Sequence, residues 1–209
     1  MNDVPDFGWK DNPPENTART PFIMLPELQA RLFAPTLVDG PLPEHYEPVE
    51  SPVRNIISRQ QNNPAIAWMK GLGELATTAN YPYIGTTYRV SEHWQSGIMT
   101  RNSPWLAELF PEMFVEISTQ LAGRLGIANG NQVLVSTPRG EIRAIAYVTR
   151  RLKPLEVDGK MVEIVGMPWH WGYRGLFPGD SANMLTSHVG DPNTSIPEYK
   201  AFLCNIRRA

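Results

Sequence analysis

Residues 85–101, GTTYRVSEHWQSGIMTR, gather side chains suited to a large, flat, phosphorylated ligand. Arg89 carries a planar, permanently charged fork that matches phosphate and can stack on a ring. Trp94 offers a broad stacking face, while Gln95 and Ser96 supply donors and acceptors for a heterocycle's edge. Gly97 lets the backbone approach a ligand closely. Glu92 is the awkward member, because a carboxylate repels phosphate; it is expected to pair with Arg89 or to accept from ligand amines. The residues alone leave a plainer reading open, an edge strand whose His93 and Trp94 cover a hydrophobic floor.

Two further groups have chemical character. Asn183, in Ala182-Asn183-Met184-Leu185-Thr186, stands 17 residues before Lys200, which follows Pro197-Glu198-Tyr199. An Asn amide meets a ring edge with donor and acceptor together, and Lys adds charge. By themselves these residues favour an Asn capping the Thr186 turn and a solvated Lys. Trp169-His170-Trp171-Gly172-Tyr173 places a histidine between two indoles. His170 could serve acid–base chemistry, but no neighbouring carboxylate or Ser/Cys nucleophile completes a triad. His45 and His188 are expected at the surface or in packing. The 4 histidines lack metal-ligand spacing, so no metal is assigned to this chain.

The elements that must position these groups follow from periodicity and turn chemistry. Thr86–Val90 is β-prone and leads into the His93-Trp94 turn. Ser103 and Pro104 open a short helix to Leu109. Phe114–Ile117 is a strand, Ser118 caps a helix over Thr119–Leu125, and Gly126 closes it. Asn129-Gly130 turns into a strand over Gln132–Thr137, and Pro138-Arg139-Gly140 turns into Glu141–Thr149, which alternates Ile142, Ala144, Ala146 and Val148 on one face. Asp158-Gly159 marks a hairpin into a strand over Lys160–Met167. Residues 168–182 form a long loop, Asn183–Ser187 turns helically, and Lys200–Ile206 closes the domain. Many short strands with few small helices point to a closed barrel, since closure removes exposed edges.

Residues 1–80 differ. The first 64 hold 11 of the chain's 20 prolines, which block helix interiors and central strands. Phe7, Trp9, Phe22, Met24, Leu25, Leu28, Leu32 and Phe33 are too apolar for a solvated linker. This part is expected to be an extended arm that lays its aromatics on a partner chain, with a short helix at 26–33 and one or two more within 64–79.

Composition sets the outer bounds. A chain of 209 residues suits one substantial domain with an appendage, or two small domains. A net charge of −2 disfavours non-specific nucleic-acid binding. The single cysteine, Cys204, excludes an internal disulfide and a CxxC site, and it falls in an apolar-alternating run, so a buried strand position is expected. No apolar run reaches membrane-spanning length, and the N-terminus lacks the pattern of a signal peptide.

GTTYRVSEHW, FVEISTQLAGRLGIANGNQVLVSTPRGEI and the ANMLT…PEYK groups, read together, resemble the molybdopterin dinucleotide-binding C-terminal domain of the DMSO reductase superfamily. PFIMLPELQARLFAP, GPLPEHYEP, YPYIGTTYR and HWGYRG resemble more closely the end of the large (alpha) subunit of Mo/W formate dehydrogenases. The resemblance covers essentially the whole chain. It implies a mainly β (α+β) fold, a six-stranded double-psi β-barrel with short helices over 81–209, preceded by the Pro-rich arm. It implies cofactor contacts at Thr87, Tyr88, Arg89, His93, Trp94, Gln95 and Ser96, with His170, Trp171, Asn183, Tyr199 and Lys200 completing the set. The implied cofactor is bis-molybdopterin guanine dinucleotide with Mo or W.

Formate oxidation in that family also needs a metal-bound Cys or selenocysteine, a His and Arg beside it, and an iron–sulfur cluster. None can be placed here, so catalytic residues in this chain are none, and the chain looks like the C-terminal quarter of a catalytic subunit, encoded or processed separately. The resemblance therefore implies a larger catalytic chain as partner, with iron–sulfur clusters only on partner chains, including an electron-transfer subunit. Nucleic acid and a direct membrane span are not expected. Such a piece is periplasmic if exported with its partner and otherwise cytoplasmic. The alternatives are the same role in a nitrate or polysulfide reductase, or a non-enzymatic cofactor-binding or assembly module.

Overall fold

The computed structural model describes residues 44–62, 64, 73–172, 175–191 and 196–209, all within the compact unit Val38–Ala209. The expected helix at 26–33 and the first 43 residues of the arm lie outside the described residues, as does most of the expected helical stretch at 64–79.

Period-two burial is plainest in the longest barrel strand. Strand β4 (Gly140–Thr149) buries Ile142, Ala144 and Ala146 and exposes Glu141, Arg143 and Tyr147. The other elements, in chain order, are β1 (Tyr83–Tyr88), α1 (Pro104–Leu109), β2 (Phe114–Ser118), α2 (Thr119–Leu125), β3 (Gln132–Thr137), β5 (Leu155–Val157), β6 (Lys160–Val162), β7 (Ile164–Pro168) and β8 (Phe202–Arg208). Six strands close in the order β1-β7-β2-β4-β3-β8. The β1–β7 and β2–β4 pairs are parallel and the other four antiparallel, as a double-psi barrel requires.

Val115, Ile117, Val133, Val135, Ile142, Val165, Met167, Cys204 and Ile206 fill the interior. Each such side chain contributes roughly 1.5–3 kcal/mol through loss of water contact. Gly85 in β1 is required by packing, because a Cβ there would lie 2.4 Å from the Phe202 ring of neighbouring β8.

The caps follow local chemistry. The Ser118 hydroxyl accepts from the Leu121 N–H at 2.9 Å, and Gly126 closes α2 at φ 63°. Ser103 precedes Pro104 at the start of α1, but its hydroxyl makes no capping bond. The segment Lys160–Met167 is not one strand. Its first half, β6, pairs with β5 as a hairpin, and its second half, β7, enters the barrel between β1 and β2. The change of partner falls at Glu163, whose buried carboxylate accepts from the Ser118 hydroxyl at 2.6 Å and pairs with Arg124 at 2.9 Å. β1 begins at Tyr83 and ends before Arg89, and β8 begins only at Phe202, two residues after Lys200.

Glu50 ties residues 44–62 to the barrel. Its carboxylate is buried, pairs with both terminal nitrogens of Arg139 in the β3–β4 turn, and accepts from the backbone N–H groups of Ala76 at 2.8 Å and Leu203 at 3.0 Å. Four bonds to one carboxylate compensate the cost of burying its charge.

Candidate functional site

The end of β1 joins two groups that are far apart in sequence. Alternation along the strand turns the Thr87 side chain inward, where its hydroxyl donates to the Tyr199 carbonyl at 2.9 Å. The Lys200 ammonium donates to the Thr87 carbonyl at 2.7 Å. Lys200 is otherwise exposed and keeps two further N–H donors.

The chain then leaves β1 through a compact turn that presents the remaining groups. Arg89 is exposed, donates to the Gln95 side-chain carbonyl at 3.4 Å, and sits 5.5 Å from the centre of the Trp169 ring. The expected Arg89–Glu92 pair is not formed; Arg89 reaches Gln95 instead. Trp94 is 58% exposed, so its indole face is open for stacking, and its backbone N–H is fixed to the Thr100 hydroxyl at 3.0 Å. Gln95 and Ser96 are exposed as well. Gln95 holds φ at 52°, a left-handed conformation that a non-glycine residue adopts at a cost. Arg89, Trp94, Gln95 and Ser96 therefore form one exposed corner, cationic, aromatic and rich in hydrogen-bonding groups.

The histidines lie beneath this corner. His170 is completely buried; its Nε2 accepts from the Val90 N–H at 3.0 Å and its Nδ1–H donates to the Gln95 carbonyl. Burial holds its pKa below the ordinary histidine value, against the contact to Gln95, and His93, Arg89 and Arg101 push the same way as burial. His93 is buried too, with Nε2 at 3.3 Å from the Phe110 carbonyl and its ring edge-on to Trp171 at 5.6 Å. Burial likewise lowers its pKa. His93, His170 and Trp171 thus support the corner from within rather than forming its exposed face.

Arg101 belongs to the same construction, and sequence reasoning did not single it out. It is 2% exposed, donates to the carbonyls of His170 (3.3 Å) and Phe177, and lies 5.3 Å from the Trp171 ring centre. Its signal was its place four residues after Gly97, whose carbonyl receives the Arg101 N–H at 2.8 Å.

Residues 83–203 match the family described as "Molydopterin dinucleotide binding domain". The chain belongs to that family. It is 46% identical to formate dehydrogenase subunit alpha of Megalodesulfovibrio gigas, covering 100% of this chain and 21% of the relative. It is 48% identical to the major subunit of the nitrate-inducible formate dehydrogenase of Escherichia coli K12, covering 100% of this chain and 20% of the relative. The chain therefore spans about a fifth of the length of these curated relatives. Among solved structures, acetylene hydratase from Pelobacter acetylenicus shares the fold, with a TM-score of 0.50, 18% identity, and coverage of 63% of this chain and 19% of the other.

Within the molydopterin dinucleotide binding domain, two candidates stand apart from the corner. Asn183 is exposed on a 3-10 turn, Ala182–Met184, beside the β3–β4 connection, where Arg139 donates to the Leu185 carbonyl at 2.9 Å. No hydrogen bond among the described residues links Asn183 to Thr87, Tyr199 or Lys200. Tyr88 points away from Thr87, as neighbours on a strand must. Its ring covers Gly166, its buried hydroxyl lies beside Glu116 and Arg151, and it lines an open groove of about 600 Å³ with Phe110, Phe114 and Tyr147. Burial and the Glu116 carboxylate push the phenol's pKa up, so it stays protonated. Among the described residues no cluster of His, Cys, Asp and Glu could hold a metal ion, and no helix is long and apolar enough to cross a membrane.

Proposed function

We propose that this chain is the C-terminal cofactor-binding part of a molybdenum- or tungsten-dependent formate dehydrogenase. It closes a bis-molybdopterin guanine dinucleotide cleft over the rest of the catalytic subunit, carried on a larger partner chain. The observation that carries the reading is the convergence of the Thr87–Tyr199–Lys200 linkage and the Arg89–Gln95 corner at one end of β1. These donors fit the group: a guanidinium and an ammonium suit its phosphates, and Trp94 suits a stacked ring.

When bound, that cofactor supplies the metal-centred two-electron chemistry of HCOO⁻ → CO₂ + H⁺ + 2e⁻. The chain's own part is to bind and orient. Lys200 meets negative charge while its bond to the Thr87 carbonyl fixes its direction. Arg89, steadied by Gln95 and Trp169, offers a charged fork that also stacks. Gln95 and Ser96 read polar edges. Asn183 and Tyr88 take contacts on flanking surfaces. The identity of 46–48% over the whole chain favours formate dehydrogenase over a nitrate or polysulfide reductase. The arm contributes to the contact with the partner chain, and an iron–sulfur subunit receives the electrons. The complex works in the periplasm if exported as one body, and otherwise in the cytoplasm.

The test is formate-dependent dye reduction by the purified complex, with its guanine nucleotide and metal measured in the same fractions. Activity with formate, together with one of the two metals, supports the reading; nitrate reduction without formate oxidation would replace it.

A further inference from the structure

We infer that His170 is the positioning residue of the cofactor-contacting turn, a bridge between both ends of Val90–Gln95 that fixes where Arg89, Trp94 and Gln95 stand. The inference rests on the cofactor-binding reading and adds a residue that would not touch the cofactor.

The geometry admits a single arrangement of protons. A backbone N–H only donates, so the ring atom facing the Val90 N–H at 3.0 Å, Nε2, must be unprotonated. A backbone carbonyl only accepts, so Nδ1, which faces the Gln95 carbonyl, carries the hydrogen. One ring therefore satisfies both backbone groups from its two ends, and its rigidity sets the span between them. Gln95 holds its left-handed φ of 52° immediately beside this contact.

The surroundings keep the ring in place. A Cβ at Gly97 would lie 2.6 Å from the His170 carbonyl, and Gly97 itself has φ 82°, so only glycine allows the turn to close on this residue. Arg101 donates to the same carbonyl at 3.3 Å, and Trp169 stacks on the imidazole at 5.9 Å. The titratable and charged groups that face the ring are His93, Arg89 and Arg101, and all three oppose a proton on it. Protonating Nε2 would set a donor against the Val90 N–H and open one end of the bridge.

The experiment uses the assembled enzyme carrying His170→Phe, His170→Gln or Gly97→Ala. Guanine nucleotide per complex is measured after gel filtration at a series of pH values, alongside circular dichroism of the same fractions. His170→Phe keeps a flat ring without either bond, whereas His170→Gln keeps one donor and one acceptor without a titratable group. The expected result is at least a tenfold faster loss of nucleotide from His170→Phe and Gly97→Ala with unchanged secondary structure, and substantial rescue in His170→Gln. Wild-type retention should weaken only as pH falls through the folded-state value of His170, which burial holds below the ordinary 6.5, with that acid limb blunted in His170→Gln. If His170→Phe does not assemble, Gly97→Ala and His170→Gln decide the matter. Full retention in the Phe and Ala variants, or an unaltered acid limb in the Gln variant, overturns the inference alone. A wild-type enzyme without guanine nucleotide overturns the functional reading and this inference with it.

Discussion

Lys200 and Thr87, 113 residues apart, meet at the end of the barrel, the Lys200 ammonium donating to the Thr87 carbonyl at 2.7 Å. The bond converts a flexible lysine into a directed cation, because one of its three N–H groups is anchored and two remain for a ligand. Arg89 on the neighbouring turn is steadied in the same manner by Gln95 and Trp169. Preorganised charges of this kind hold an anion more tightly than freely rotating ones, since less side-chain freedom is lost on binding.

Lys200→Ala is therefore expected to weaken retention of the dinucleotide without unfolding the barrel. A charge-assisted hydrogen bond contributes about 1.5–3 kcal/mol, which is roughly a tenfold to hundredfold loss. Guanine nucleotide released from a fixed amount of complex, with the thermal midpoint measured in parallel, checks both halves. Undiminished nucleotide content would remove Lys200 from the site.

Glu50→Ala acts on stability instead. It leaves the Arg139 guanidinium without its carboxylate and the N–H groups of Ala76 and Leu203 without their acceptor. Breaking a buried ion pair from one side costs about 3–5 kcal/mol. The denaturant midpoint should fall with little change in slope, and a shift below about 1 kcal/mol would contradict the anchoring role.

Acid should destabilise the domain from the histidine range downward. His93 and His170 both have folded-state pKa values below 6.5, so between those values and 6.5 the unfolded chain binds more protons than the folded one. Stability from this source is fully present above 6.5 and is lost as pH falls through the ordinary histidine value toward the folded ones. Urea midpoints at stepped pH check the sign; a midpoint that rises on acidification through this range would refute it.

Much of this architecture was legible because it follows local rules. The alternation of Ile142, Ala144 and Ala146, the Ser118 and Gly126 caps and the buried place of Cys204 could all be read from neighbours in the chain. The break at Glu163 could not, because β6 and β7 follow one another with a single residue between them and no turn signal marks the change of strand partner. Nor could His170 be assigned to the backbone of residues 90–95, since the two segments meet only after β1 and β7 have paired in parallel. Arg101 escaped notice for a related reason. A buried arginine that donates to backbone carbonyls and lies over an indole leaves no charge pattern in the sequence. The Thr87–Lys200 contact was legible as two separate groups, but their joining depends on β8 pairing with β1.

The central claim, that this chain binds a pyranopterin guanine dinucleotide together with the rest of a catalytic subunit, is tested most directly by gentle purification of the tagged protein from its own cells. Mass spectrometry and nucleotide analysis of the purified material give the result. Several hundred further residues bearing a four-cysteine cluster motif are expected, with guanine dinucleotide and molybdenum or tungsten in the same peak. A well-folded, monomeric 209-residue chain eluting alone, without nucleotide or metal, would contradict it.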